Sequence, residues 1–103
     1  DQSIHLLARD ARGTPMATAR LLVRGETGKI TRVAVLAPAR GTGLGAALLR
    51  ESMAILRAQP GVTRLQLGAQ NHAIPFYEKF GFTAYGPEYQ DGGIPHHDMA
   101  LAL

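Results

Sequence analysis

Apolar and polar positions alternate at short range along the first third of the chain. Ile4 to Arg9 is short and apolar, Asp10-Ala11-Arg12-Gly13 is a turn ending on glycine, and Met16 to Arg24 is rich in Leu and Val. This pattern predicts a hairpin of two antiparallel strands. Gly25-Glu26-Thr27-Gly28 reads as a second turn. Ile30 to Leu36 alternates, with Ile30, Arg32 and Ala34 set against Thr31, Val33 and Val35, and predicts a third strand that Pro38 ends. From Leu44 the period changes. Leu44, Ala47, Leu48, Ile55 and Leu56 share one face of a helix running to about Ala58, and Pro60-Gly61 stops it. Arg64 to Ala69 is a strand with Leu65 and Leu67 on one face. Ala73 to Phe80 is a short helix closed by Gly81, a position glycine favours. Phe82 to Tyr89 is a strand, Asp91-Gly92-Gly93 a turn, and His97 to Leu103 a last strand. The order β-β-β-α-β-α-β-β places the chain in the α/β class, a mixed sheet with helices packed on it.

Composition narrows the function classes. A chain of 103 residues has room for one domain. Cysteine is absent, which excludes a disulfide framework, a thiolate zinc site and a cysteine nucleophile. No apolar run approaches the roughly 18 residues of a membrane span, so the expectation is a soluble, cytoplasmic protein without a membrane partner. The formal net charge is +3, and the base is almost all arginine. Arg9, Arg12, Arg20, Arg24, Arg32, Arg40, Arg50, Arg57 and Arg64 are scattered singly. Nucleic-acid binders concentrate base in a stripe, so this pattern suits a small anionic ligand better than a phosphate backbone. His96-His97-Asp98 does not make a metal site, because adjacent strand residues point to opposite faces; no metal is expected.

The strongest local signal is a strand, a glycine-rich loop and a helix: Arg40-Gly41-Thr42-Gly43-Leu44-Gly45-Ala46. Such a loop presents backbone N–H groups at a helix N-terminus, where they lack intrahelical partners and the helix dipole adds partial positive charge. Phosphate or pyrophosphate fits there, and Arg40 adds a fixed cation. A Walker A loop would need Gly-Lys-Ser/Thr, but Ala46 follows Gly45. A dinucleotide fingerprint matches formally at Gly41, Gly43 and Ala46. It then wants an acid about 20 residues on, and no Asp or Glu lies between Glu51 and Glu78. A glycine-rich turn that merely caps the helix remains open on the loop alone.

Val33-Ala34-Val35, leading through Pro38 to the Arg40–Gly45 loop, resembles motif A of the GNAT acyltransferase superfamily. Ala73-Ile74-Pro75-Phe76-Tyr77-Glu78-Lys79-Phe80-Gly81-Phe82 resembles that superfamily's second signature, in the right order and separated by one helix and one strand. Leu67 to His72, with Tyr89 to His96 and Met99, is similar to the ElaA-type branch. The resemblance covers essentially the whole chain. It implies a mixed, mostly antiparallel GNAT-like sheet flanked by helices, over a single domain, residues 1–103. The usual initial strand and two helices are not in this sequence, so the domain is expected to be N-terminally incomplete.

The resemblance also implies chemistry. An acceptor amine attacks the thioester of acetyl-coenzyme A directly in a ternary complex, with no cysteine and no metal. Arg40, Gly41, Thr42, Gly43, Leu44, Gly45 and Ala46 would hold the pyrophosphate. The backbone of Val33, Ala34 and Val35 would pair with the pantetheine arm like an added strand, and an N–H near Val35 would polarise the carbonyl. Gln70 takes the polar contact that many members give to Asn; Asn71 is one residue late. Tyr77 stands at the position of a general acid, with core packing as its other reading. For the general base the candidates are His5, His72, His96, Glu88 and Asp91. His96 ranks first because it shares a strand face with Asp98. The acceptor is a small-molecule or peptide amine, its class open, and the acyl donor could be longer than acetyl. Two rivals stand beside this reading: a coenzyme A-binding module without turnover, and a basic nucleic-acid-binding domain. Exposed sheet edges make a homodimer the expected assembly.

Overall fold

Among the described residues, six strands form one sheet in the order β1-β2-β3-β4-β6-β5, and two α-helices pack on one of its faces. The computed structural model describes residues 3–36 and 41–103. The strands are β1 (Ile4–Arg9), β2 (Pro15–Arg24), β3 (Thr27–Val35), β4 (Arg64–Gln70), β5 (Thr83–Asp91) and β6 (Ile94–Ala102); the helices are α1 (Leu44–Arg57) and α2 (Ile74–Glu78). Neighbouring strands are antiparallel except β3 and β4, which run parallel because α1 carries the chain back between them. The mixed, mostly antiparallel sheet matches the sequence reading.

Alternation sorts the two faces. In β1, Ile4, Leu6 and Ala8 turn inward while His5, Leu7 and Arg9 are exposed. In β2, Ala17, Ala19 and Leu21 are buried, and in β4 Leu65, Leu67 and Ala69. These residues meet the buried stripe of α1, Leu48, Leu49, Ser52, Met53 and Leu56. The stripe differs from the expected one: Ala47 is exposed, and Leu49, Ser52 and Met53 lie at its centre. Ser52 is buried because its hydroxyl donates to the Leu48 carbonyl at 2.8 Å, the i−4 partner a helix offers.

Three boundaries shift for identifiable reasons. The turn after β2 is only Gly25-Glu26, so Thr27 and Gly28 begin β3. The second helix starts as a 3-10 turn at Asn71–Ala73 and ends at Glu78. The last turn is Gly92-Gly93, so Asp91 closes β5 and β6 begins at Ile94. Strict alternation in β3 also fails. Leu21 faces Ile30 but Arg20 faces Arg32, which leaves Thr31 as a bulge. Ile30 therefore shares the core face with Val33 and Val35, and not with Arg32 and Ala34 as the alternation predicts.

One further irregularity matters for the site. The β5–β6 register shifts between Tyr85 and Tyr89: Tyr85 faces Asp98, and Tyr89 faces His96. Gly86, at φ 73, and Pro87 occupy the extra length. Edge strand β5 tolerates a proline, since its outer N–H groups have no strand to bond. The excess keeps Tyr85 and Tyr89 both on the face that, among the described residues, carries no helix.

Candidate active site

The parallel pairing of β3 and β4 lasts only from Thr27–Arg64 to Ile30–Leu67. Beyond those rungs β3 runs on to Val35 and β4 to Gln70 without pairing to each other, because β4 keeps its partner β6 through Gln70–His96. The two strands splay. The space between them is a cleft of about 730 Å³ lined by Thr31 to Val35 on one side and Gly68, Gln70, Ala73, Tyr77, Asp91 and His96 on the other. Leu36 N–H donates to the Met16 carbonyl at 2.8 Å. By the alternation of an antiparallel ladder, the Val33 amide then points away from β2 and into the cleft.

The glycine loop stands at the start of α1. Gly41 and Gly43 have φ of 78° and 83°, backbone that only glycine adopts freely. Gly43 caps the helix without any side-chain bond, and the first turn contains no acid. The Leu44 amide lies 3.4 Å from Thr42 Oγ1, and the Ala47 amide donates to the Gly43 carbonyl at 3.0 Å. The amides of Gly45 and Ala46 precede that first turn's closure, where helices lack internal partners. The first turn of α1 thus supplies no carboxylate of its own to its positive end, which fits a phosphate-bearing ligand. A second hollow of about 450 Å³ adjoins it, lined by Arg9, Asp10, Met16, Thr42, Gly43, Leu44 and Ala47. Arg9 reaches it from the register shift after Ala8, with its guanidinium donating to the Gly13 carbonyl at 2.9 Å. Nothing in the local pattern marks Arg9; the β1–β2 turn brings it here. Arg40, the cation expected at this loop, lies outside the described residues.

Tyr77 comes from α2. Its ring is half-buried, edge-on to Phe76 at 5.2 Å and to Phe82 at 6.3 Å. Burial pushes its phenol up from the ordinary tyrosine value, so it holds its proton more tightly. Gln70 lines the cleft, while Asn71 does not. Asn71 instead clamps two strands: its Nδ2 donates to Glu88 at 2.7 Å, and its Oδ1 lies 2.7 Å from His97 Nδ1. His72 lines the cleft but is exposed, and His5 is on the outer side of β1, away from it.

His96 is only 9% exposed. Its Nδ1 lies 2.7 Å from the Ile94 carbonyl oxygen. A carbonyl can only accept, so Nδ1 carries the hydrogen. The ring stacks on Tyr89 with centroids 5.7 Å apart. Tyr89 in turn donates to Asp98 Oδ1 at 2.8 Å. These residues line a smaller cavity of about 360 Å³ on the uncovered face, together with Lys29, Gln66, Gly68 and Asp91. The Tyr89–Asp98 pair was not legible in the sequence, since it depends on the β5 irregularity.

The whole chain, residues 1–103, matches the model of the acetyltransferase (GNAT) domain and belongs to that family. A Bacillus subtilis protein bearing an acetyltransferase name is 36% identical over 92 residues, covering 89% of this chain and 61% of its own length. An acyl-CoA N-acyltransferase from Pseudomonas aeruginosa superposes with a TM-score of 0.86 at 32% identity, over 99% of this chain and 70% of that one. Escherichia coli ElaA superposes with a TM-score of 0.85 at 30% identity, over 96% and 68%. The chain thus spans about 61% of the length of the curated relative.

Proposed function

We propose that this chain transfers an acetyl group from acetyl-coenzyme A to a primary amine by direct attack. The observation that supports this most is the splay of β3 from β4 beyond Ile30–Leu67, with Tyr77 and His96 in the walls of the same cleft. The name of the Pseudomonas relative adds weight to acyl-coenzyme A as the donor.

Acetyl-coenzyme A enters as a substrate. Its pyrophosphate suits the Gly41–Ala46 loop, and its pantetheine arm suits the β3 edge at Val33–Val35, as an added strand would. Gln70 gives the arm a side-chain partner. The amine arrives protonated, and His96 Nε2 takes one proton to free the nitrogen lone pair. The nitrogen bonds to the thioester carbonyl carbon, and the carbonyl oxygen gains negative charge near the β3 amides. As the carbonyl re-forms, the C–S bond breaks. Tyr77 gives its proton to the departing thiolate and recovers one from the acylated nitrogen. The sum is one amide, one thiol and one proton released through His96.

Calorimetric titration with acetyl-coenzyme A tests the donor half. Micromolar binding is expected, lost in Gly43→Asp, which sets a carboxylate where the pyrophosphate would lie. A folded chain that binds no acetyl-coenzyme A overturns the assignment. The thiol released on turnover can be followed with a thiol reagent without background, because the chain has no cysteine.

A further inference from the structure

The smaller cavity on the uncovered face shares a wall with the cleft: Thr31, Gly68 and His96 belong to both linings. Lys29 lines the smaller cavity. It stands on β3 level with Gln66, one rung before Ile30–Leu67, the last pair before the strands splay. Thr31, in the cleft wall, is two residues further on, about 7 Å along a strand. A lysine carries its nitrogen on a flexible four-carbon stem, which spans a step of that kind. Lys29 is half-buried, and its nitrogen has no hydrogen-bond or ion-pair partner among the described residues. No contact there holds it back from the shared wall. Of the described side chains lining the two spaces, only Lys29 carries a primary amine. The other lysine of the chain, Lys79, follows the end of α2, is exposed and lines neither space.

From this placement we infer that Lys29 is a self-acetylation site: in the absence of an external amine, its nitrogen takes the acetyl group from the thioester in the cleft of the same molecule. The inference rests on the transferase reading for its donor and adds a modification site to it. A nucleophile tethered beside its target reacts as if at very high local concentration, so a lysine held here outpaces one that meets the thioester from solution. The step balances. The Lys29 ammonium gives one proton to His96, and its nitrogen bonds to the thioester carbonyl carbon. The C–S bond breaks, Tyr77 protonates the leaving thiolate, and the second proton from the lysine nitrogen restores Tyr77. The products are an acetamide on Lys29, a free thiol and one proton. The amide nitrogen is no longer a nucleophile, so the reaction stops at one group per chain. The acetamide then occupies the smaller cavity without the positive charge that Lys29 carried there.

Incubation of the folded chain with acetyl-coenzyme A in amine-free buffer, followed by intact-mass measurement and peptide mapping, tests this. The expected result is one acetyl group per chain, on Lys29, with one equivalent of thiol released. Lys29 should react about tenfold or more faster than Lys79, whose rate reports acetylation from solution. The rate per chain should hold when the protein is diluted at constant acetyl-coenzyme A, because donor and nucleophile share one molecule. Excess coenzyme A should slow Lys29 and leave Lys79 unchanged. Lys29→Arg should release no thiol, whereas Lys79→Arg should behave as the wild type. An unmodified Lys29, equal rates at the two lysines, or a rate per chain that falls in proportion to dilution overturns the inference. Acetyl-coenzyme A calorimetry on the same sample separates the two readings. Coenzyme bound with Lys29 unmodified defeats self-acetylation alone. No coenzyme bound by the folded chain defeats the transferase reading, and self-acetylation with it.

Discussion

The Tyr89 hydroxyl lies 2.5 Å from the point where a β-carbon on Gly68 would sit, and the same hydroxyl donates to Asp98 at 2.8 Å. Glycine at position 68 is thus a matter of space and not of backbone angle, since Gly68 is not among the glycines at positive φ. Gly68→Ala must push the phenol aside and break its bond to Asp98. The expected loss of stability is about 1 kcal/mol, the usual worth of one such bond. Denaturant unfolding measures it, and Tyr89→Phe should leave little for Gly68→Ala to remove in a double-mutant cycle.

Tyr89 should also titrate late. Burial first, then the hydrogen bond to Asp98 and the charges of Asp98 and Asp91, push its phenol from 10.0 to about 12. Each of these disfavours the phenolate. The native state therefore holds this proton over the range from 10 to 12 in which the unfolded chain has lost it. Its contribution to stability is complete below pH 10 and declines as pH rises toward 12. Ultraviolet titration of the phenols should show a component near pH 12 that disappears in Tyr89→Phe. In Asp98→Asn the same component should move toward 10, because both the acceptor and its charge are weakened.

Local periodicity carried the element order, because it is a property of a few neighbouring residues. It marked the glycine loop before α1, and it placed Tyr77 on a short helix. It could not carry what depends on distant pairing. Thr31 looks like any β-branched strand residue, and only its pairing across from Arg20 and Leu21 makes it a bulge. The splay that opens the cleft arises because β4 keeps β6 and loses β3, a competition between partners far apart in sequence. Asn71 and Gln70 are adjacent and chemically alike. The 3-10 turn sends one to clamp His97 and Glu88 and leaves the other in the cleft wall. Resemblance to a family, more than composition, singles out Gln70 and Tyr77, whereas the glycine loop stands out on its own residues.

Close packing under β3 gives a test of the fold itself. A β-carbon on Gly28 would lie 3.1 Å from Leu56 Cβ and 3.1 Å from Leu65 Cδ2. Both leucines are fully buried, so neither has room to retreat. Gly28→Ala should cost about 1–3 kcal/mol by overpacking, although alanine suits a strand better than glycine. Thermal unfolding checks the sign. Leu49→Ala, also at a fully buried position, should cost about 2–5 kcal/mol by leaving a cavity. That is a large share of the total for a small domain.

Tyr77→Phe separates packing from proton transfer. The ring contacts with Phe76 and Phe82 belong to the aromatic face and survive the substitution. Stability should therefore change by less than about 1 kcal/mol, and acetyl-coenzyme A affinity should stay within about twofold. The turnover rate should fall about a hundredfold or more, as expected when a positioned acid is lost. Burial raises the Tyr77 phenol above its ordinary 10.0, so the acid form persists across the neutral and mildly alkaline range. Loss of this proton should depress the wild-type rate only above about pH 10, and the limb should be missing from the phenylalanine variant. A wild-type rate in the variant would leave Tyr77 as a packing residue and would move the proton donor to water.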